Sequence, residues 1–560
     1  MDDCNSDHPF EIKEEVKNKS KYMIAKQLIE PKSIVVVGGS DDIHKPGGTV
    51  LRNLQDGNFK GSLYVVNPKM DEVQGIKAYR DVKDLPEVDC AILAIAAKFC
   101  PSTVEVLAKQ KNTKAFIILS AGFHEENEEG AKLERQIVET INSVGGSLIG
   151  PNCIGVLTNH YSGVFTSPIP ELNPQGVDLI SGSGATALFI MDSGMQKGIK
   201  FNSMYSVGNS AQLGVEEILE YMDESFDPKT SSRVKLLYVE SIEKPEKLLK
   251  HASSLIRKGC RIAAVKSGGS AAGSRAASSH TGALASSDVA VEALFRKAGI
   301  VRCNGRDELM TVAGIFMHPE MKGRNMAVVT HAGGPAVMLT DALSNGGMDV
   351  PHIEGEKAQE LLAKLFAGSS VGNPIDFLAT GTAEQLGYIL DACDQDFDNI
   401  DGMAVIFGSP GLFPVFDVYR VLDEKMKTSK KPIFPIFPSS KIVKDEIAEF
   451  VSKGRVYFPD EVLFGNALCK IYKTPAPQPE HFEMPDMDVK KIREVVDNAQ
   501  NGYLSPDEIH TLLDAAGVAR AKEGVSDNEE EIVKMAKEIL RKQGLIESRK
   551  NLRLNSSSCC

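Results

Sequence analysis

The chain has no tryptophan, no C-x-x-C pair among its ten cysteines, no apolar run of membrane-spanning length and no excess of basic charge. Most of these absences close a class. Scattered cysteines without metal-ligand spacing argue against a zinc site or a disulfide framework, and they read as buried free thiols in a reducing compartment. A membrane helix needs about 20 consecutive apolar residues, and no stretch approaches that. A formal net charge of -13 disfavours nucleic acid, whose binding requires clustered Lys and Arg. The segment Met1 to Lys19 is polar and charged, unlike a signal peptide, so a cytoplasmic protein without membrane or nucleic-acid partners is expected. The dinucleotide fingerprint G-x-G-x-x-G is also missing, which weakens a nicotinamide oxidoreductase reading. The absence of tryptophan decides nothing about function.

What is present is a long alternation of short apolar runs and amphipathic windows. At 560 residues the chain should hold several domains, at roughly 100–200 residues each. Ile34–Val37, Leu63–Val66, Ala91–Ala96 and Ala115–Leu119 read as buried strands, as do Val177–Ile180, Lys235–Val239 and Ile262–Val265. Met326–Thr330, Met403–Phe407 and Pro432–Ile436 continue the series. Windows such as Ser102–Lys111, Glu126–Val144 and Gly214–Met222 separate them as helices, which indicates α/β units with parallel sheets. The pattern restarts at Pro168–Pro174 and Met317–Arg324, and Thr474–Pro485 carries four prolines and reads as a linker. We therefore expect three doubly wound domains at 19–167, 175–317 and 324–473. Helices at Asp488–Ala499, Ser505–Ala516 and Glu529–Leu540 follow within 486–540. Residues 541–560, basic and then Ser-rich, read as a disordered or aberrant tail.

Several strand ends carry chemistry. Gly38-Gly39-Ser40 follows the first apolar run, and Asn67-Pro68-Lys69 follows the second, where the ribose or phosphate end of a nucleotide often sits. Gly150 to Gly155 is a tight turn holding Asn152 and Cys153, and no nearby base or cation marks Cys153 as a nucleophile. Ser181-Gly182-Ser183-Gly184, with a helix expected from Ala185 to Lys197, combines a backbone nest with a helix N-terminus suited to phosphate. Ser278–Leu284 places His280 on a small Gly/Ser-rich loop, with a helix expected from Thr281 to Lys297. A neutral imidazole among such donors suits a phosphoryl acceptor. Glu240 ends its strand, and in a parallel sheet it can converge with Ser181 and the His280 loop. Taken alone, such a histidine is more often a solvated loop residue, and Glu240 a surface carboxylate.

Taken together, these segments resemble the NDP-forming acyl-CoA synthetases, notably the ADP-forming acetyl-CoA synthetases, and more distantly the succinyl-CoA synthetase α subunits. The likeness runs from about Lys19 to Glu538, through Ser33–Ser40, Tyr64–Lys69, Ser120–Phe123, Gly150–Gly155, Ser206–Asn209, Lys266–Gly268, Ser279–Ala283, Gly333–Pro335 and Gly372–Asp376. It implies a Rossmann-like CoA-binding domain, two flavodoxin-like ligase domains and the helical opening of an ATP-grasp domain. It also implies the reaction of a carboxylic acid, CoA and ATP to acyl-CoA, ADP and phosphate through an acyl phosphate and a phosphohistidine. His280 would be the phosphoryl carrier and Glu240 its carboxylate partner. CoA would lie against Gly38, Gly39, Ser40, Asn67, Pro68, Lys69, Ser120, Ala121, Gly122 and Asn152. Phosphate would lie against Ser181, Gly182, Ser183, Gly184 and Gly282.

No metal ligands are assigned within the chain, and Mg2+ would arrive with ATP or ADP on an ATP-grasp module. A separate ATP-grasp subunit and a homo- or hetero-oligomer are expected. Gly182, His331 and Ala336 stand where the family has Gln, Asn and Gly. After Glu538-Ile539 the ATP-grasp counterparts end, so this chain by itself is expected not to use ATP. The competing expectation is a non-catalytic CoA- or acyl-CoA-binding regulatory protein.

Overall fold

The computed structural model describes residues 24–57, 59–281, 287–409, 414–479, 486–499, 502–520 and 526–542, with the backbone alone for 277–281 and 541–542. The chain forms two compact units, Met1–Gln478 and Pro479–Cys560. The first unit is α/β and contains three sheets.

The first sheet has seven strands, in the spatial order Glu72–Val73, Ile76–Tyr79, Ser62–Val66, Ser33–Val37, Cys90–Leu93, Ala115–Ile118 and Ser147–Ile149. Its pairs are parallel except for the short edge hairpin Glu72–Tyr79. Ile34 and Val36 face one core while Val35 and Val37 face another. Burial on both faces is why these strands read as continuous apolar runs rather than alternating ones.

The second sheet runs Val301–Cys303, Arg261–Lys266, Val234–Val239, Leu172–Ser181, Phe201–Ser206, Gly155–Leu157 and Ser162–Val164. Its five parallel strands follow the order second-first-third-fourth-fifth, which is flavodoxin-like. The third sheet repeats the start of that order with Ile375–Asp376, Met326–Thr330, Gly402–Ile406 and Ile433–Ile436, all parallel. In every sheet the first parallel strand therefore lies between the second and a later one, which is the third in the second and third sheets and Cys90–Leu93 in the first. That reversal opens a crevice beyond the strand C-termini, where ligands of such sheets bind.

The turns at these crevices are built alike in the second and third sheets. Ser181 Oγ donates to the Ser183 carbonyl at 2.7 Å and accepts from the Ser183 N–H at 3.2 Å. Thr330 Oγ1 donates to the Ala332 carbonyl at 2.7 Å and accepts from its N–H at 3.0 Å. Each buried hydroxyl fixes the turn that leads into a helix, Gly184–Gln196 in one case and Gly333–Asn345 in the other.

One sequence expectation needs correction, and some strands went unread. His280 is not on a loop that precedes a helix. It lies in the last turn of a helix spanning Ala271–Thr281, and a separate helix spans Asp288–Ala298. Ser270 Oγ accepts the Gly273 N–H at 3.0 Å, and the Ala-rich stretch behind this cap favours helix over an open loop. The strand Phe201–Ser206 was not foreseen, because Asn202, Ser203 and Ser206 break its apolar run. The hairpin strands Gly155–Leu157 and Ser162–Val164, which the sequence reading did not name, pair with the second sheet. The segment 282–286 and the tail 543–560 lie outside the described residues.

In the second unit, helices span Val489–Asn498, Pro506–Ala515 and Glu529–Lys542. Ser505 caps its helix reciprocally with Glu508, as the spacing indicates. Among the described residues, no helix is long and apolar enough to cross a membrane.

Candidate functional site

At the crevice of the second sheet lies a cavity of about 600 Å3. Ser181 pairs in register with Tyr238, and the Gly182 N–H donates to the Tyr238 carbonyl at 3.0 Å. This pairing brings the turn Gly182-Ser183-Gly184 beside Glu240, two residues past Tyr238, and both border the cavity. Ser183 caps the helix Gly184–Gln196 by accepting the Thr186 N–H. The helix N-terminus therefore opens on the cavity with the partial positive charge that favours an anion. Ser181 is fully buried behind the turn and shapes it rather than bordering the cavity. Glu240 Oε1 accepts from the Tyr238 hydroxyl at 3.4 Å. Asn152 borders the same cavity, and its Nδ2 donates to Asn209 Oδ1 at 3.4 Å.

Burial and charge are matched along the wall. Glu217 would be raised by burial, but Lys244, the Gly214 N–H and Lys247 hold its carboxyl below the usual range. Glu216 is buried and accepts the N–H groups of Glu243 and Lys244 at 2.9 and 3.1 Å. Cys153 also borders the cavity, but burial pushes its thiol up to about 12 and its Sγ–H donates to the Ile118 carbonyl, so it is not a nucleophile.

A second group of residues lies at the crevice of the first sheet. Gly38 has φ +88°, and a Cβ there would stand 2.5 Å from the Ala94 carbonyl oxygen, so the two central strands close tightly at this point. Asn67 Nδ2 donates to the Gly39 carbonyl at 2.9 Å, and Asn67 Oδ1 accepts the Lys69 N–H at 2.9 Å. Ser40 Oγ accepts the Asp42 N–H, and the Pro68 carbonyl accepts from Arg80. Lys69 is exposed beside them and supplies a cation. Ser120 Oγ donates to the Ile95 carbonyl, Ala121 follows it, and the Gly122 N–H donates to Glu125. Gly38, Gly39, Ser40, Asn67, Pro68, Lys69, Ser120, Ala121 and Gly122 thus share one sheet edge, whereas Asn152 belongs to the cavity of the second sheet.

His280 is placed by backbone alone, and Gly282 lies outside the described residues. Their relation to Glu240 is therefore carried only by the sequence. Among the cavity residues left unassigned in the sequence reading are His124, Glu134 and Asn209. The available signal was position, since His124 and Asn209 each follow closely on the C-terminal end of a parallel strand. Among the described residues, no group of three or more His, Cys, Asp or Glu side chains is arranged to hold a metal ion.

Residues 32–159 match the family model of a CoA binding domain, and residues 174–316 match that of a succinyl-CoA ligase like flavodoxin domain. The chain is 33% identical over 434 residues to the acetate–CoA ligase [ADP-forming] II subunit alpha of Pyrococcus furiosus, covering 77% of this chain and 93% of that relative. It is 31% identical over 524 residues to acetate–CoA ligase [ADP-forming] I of Archaeoglobus fulgidus, covering 92% and 74%. A solved structure of Ca. Korarchaeum cryptofilum dinucleotide forming acetyl-coenzyme A synthetase 1, in complex with phosphate and ADP, superposes with a TM-score of 0.71 at 27% identity, covering 80% and 96%.

Proposed function

This chain belongs to the ADP-forming acyl-CoA synthetase family, and from that premise we propose that it interconverts acyl-CoA and phosphate with an acyl phosphate and CoA, then carries the phosphoryl group on His280. The observation that carries the reading is the cavity at the second sheet's crevice, where a helix N-terminus and Glu240 share one wall. Phosphate would rest on the N–H groups of Gly182, Ser183 and Gly184. CoA would lie along the first sheet's edge, with Lys69 near its phosphates and its thiol end toward Asn152. His280 Nε2 or Nδ1 would then attack the phosphorus of the acyl phosphate, releasing the carboxylate, and Glu240 would stabilise the resulting imidazolium charge.

The nucleotide step is assigned to an ATP-grasp module, of which the helices in 486–540 would form the opening. That the Pyrococcus furiosus relative is named a subunit alpha supports a partner subunit, and the phosphate and ADP held by the Korarchaeum structure support the choice of ligands.

The test supplies radiolabelled phosphate with acetyl-CoA and measures acid-labile label on the protein. Label that His280→Ala abolishes is the expected result. Label that persists in the variant removes His280 from the role.

A further inference from the structure

We propose that His124, held by Glu134, is the proton shuttle of the thioester step at the cavity wall. The proposal rests on the reading above.

The geometry is specific. His124 Nδ1 and Glu134 Oε1 are 2.7 Å apart, and both side chains border the cavity that also holds Gly182–Gly184 and Glu240. The imidazole keeps 30% of its side-chain surface exposed, while Glu134 keeps 12%. No partner for His124 Nε2 is present among the described residues, so Nδ1 is committed to the carboxylate and Nε2 is available for a proton. Glu134 is itself fixed from the other side. Its Oε2 accepts from Asn209 Nδ2 at 3.2 Å, and the same amide group donates to Glu125 Oε2 at 2.5 Å.

Asn209 follows a strand of the second sheet, whereas His124, Glu125 and Glu134 belong to the turn and helix after a strand of the first. The dyad is thus locked where the edge assigned to CoA meets the cavity assigned to phosphate. Glu134, Glu125 and Glu243 are the charged groups that face the ring, and all three are acidic. The Glu134 hydrogen bond and the field of the three carboxylates raise the imidazole above its usual 6.5, against the burial that lowers it.

The step balances as follows. The CoA thiol proton passes to His124 Nε2 as the sulfur bonds to the carbonyl carbon of the acyl phosphate. The bond between that carbon and the bridging oxygen breaks, and phosphate leaves with the electron pair. His124 then returns the proton to a phosphate oxygen, giving acyl-CoA, hydrogen phosphate and neutral imidazole. In reverse, the imidazolium protonates the departing thiolate. Formation of phosphohistidine from acyl phosphate involves no thiol and does not call on this shuttle.

The experiment uses the full chain with acetyl phosphate as probe and measures two rates. One is acetyl-CoA formation from acetyl phosphate and CoA, and the other is labelling of His280 by acetyl [32P]phosphate. In His124→Ala and His124→Gln the ratio of the first rate to the second should fall by about 10^2 to 10^4, the usual contribution of a positioned acid–base group. The variants should also lose the corresponding limb of the pH profile, and free imidazole should restore part of the rate in His124→Ala. An unchanged ratio, or a pH limb that persists, overturns the proposal. Wild-type protein that performs neither reaction overturns the proposed function itself, so the two failures are distinguishable.

Discussion

Asp178 and Lys235 face each other in register on adjacent central strands of the second sheet, where their side chains form an ion pair at 2.5 Å while only 4% and 2% exposed. Ser203 Oγ and Asn202 Nδ2 add hydrogen bonds to Asp178 Oδ1 at 2.6 and 2.7 Å, and Lys235 Nζ also donates to the Ser232 carbonyl at 2.8 Å. The pair explains why the unforeseen strand Phe201–Ser206 carries Asn202 and Ser203: they satisfy a buried carboxylate. Removing one partner leaves the other charged and buried, which costs about 3–5 kcal/mol, whereas replacing both with apolar groups is often near neutral. Asp178→Ala should therefore lower the urea midpoint far more than the double variant Asp178→Leu/Lys235→Met. Equal losses in the two proteins would show that the pair is not buried as described.

Gly38 and Gly75 offer a controlled pair of substitutions. Both have positive φ, +88° and +78°, but a Cβ at Gly38 meets the Ala94 carbonyl while a Cβ at Gly75 meets nothing within 4 Å. Each change to Ala incurs backbone strain of roughly 1–2 kcal/mol. Only Gly38→Ala also distorts the turn at the first sheet's crevice. Calorimetry on the full chain should show CoA binding with no preference for NAD, retained in Gly75→Ala and weakened at least about tenfold in Gly38→Ala, equivalent to about 1.4 kcal/mol. Tight NAD binding without CoA binding would reverse the assignment of this edge.

Glu240→Gln keeps the shape of the cavity wall but removes a charge. A hydrogen bond to a charged partner contributes about 1.5–3 kcal/mol. Acid-labile labelling of the protein by phosphate and acetyl-CoA should accordingly slow by roughly 10- to 100-fold. Rapid-quench measurement of the labelling rate checks this, and a rate equal to wild type would leave Glu240 outside the chemistry.

His318 predicts a pH dependence of stability. It packs against Phe434 and Phe458, its Nδ1 donates to the Gly314 carbonyl at 2.8 Å, and burial lowers it from 6.5 to about 4. The unfolded chain then binds a proton that the folded chain refuses. Stability from this residue is complete above about pH 6.5, falls as pH drops toward 4, and changes no further below that. The full loss is about 3 kcal/mol, at 1.36 kcal/mol per unit. Urea midpoints measured between pH 4 and 7 should show this slope reduced in His318→Gln. An identical slope in the variant would assign the effect to other groups.

Much of the architecture was legible because strands buried on both faces must be apolar throughout. Ile34–Val37 and Ile262–Val265 could be read as such strands without any partner in view. The small residues after them, Gly38-Gly39-Ser40 and Ser181–Gly184, were equally legible, because a chain that leaves a strand for a helix within a few residues needs them. Ser505, Pro506 and Glu508 announced their helix by local hydrogen bonding alone.

What the sequence determined by itself was therefore local: strand runs, caps, tight turns and the resemblance that points to His280. Only tertiary structure could decide which strands pair and which loops meet. Phe201–Ser206 pairs along Leu172–Ser181, where Ser203 meets Asp178, and the hairpin strands Gly155–Leu157 and Ser162–Val164 pair at the edge of the second sheet. His124 gains its meaning from Glu134, ten residues along the chain, and from Asn209, 75 residues beyond Glu134. Contacts over such separations leave no periodicity in the sequence, since their energy resides in the juxtaposition of side chains after the sheets have formed.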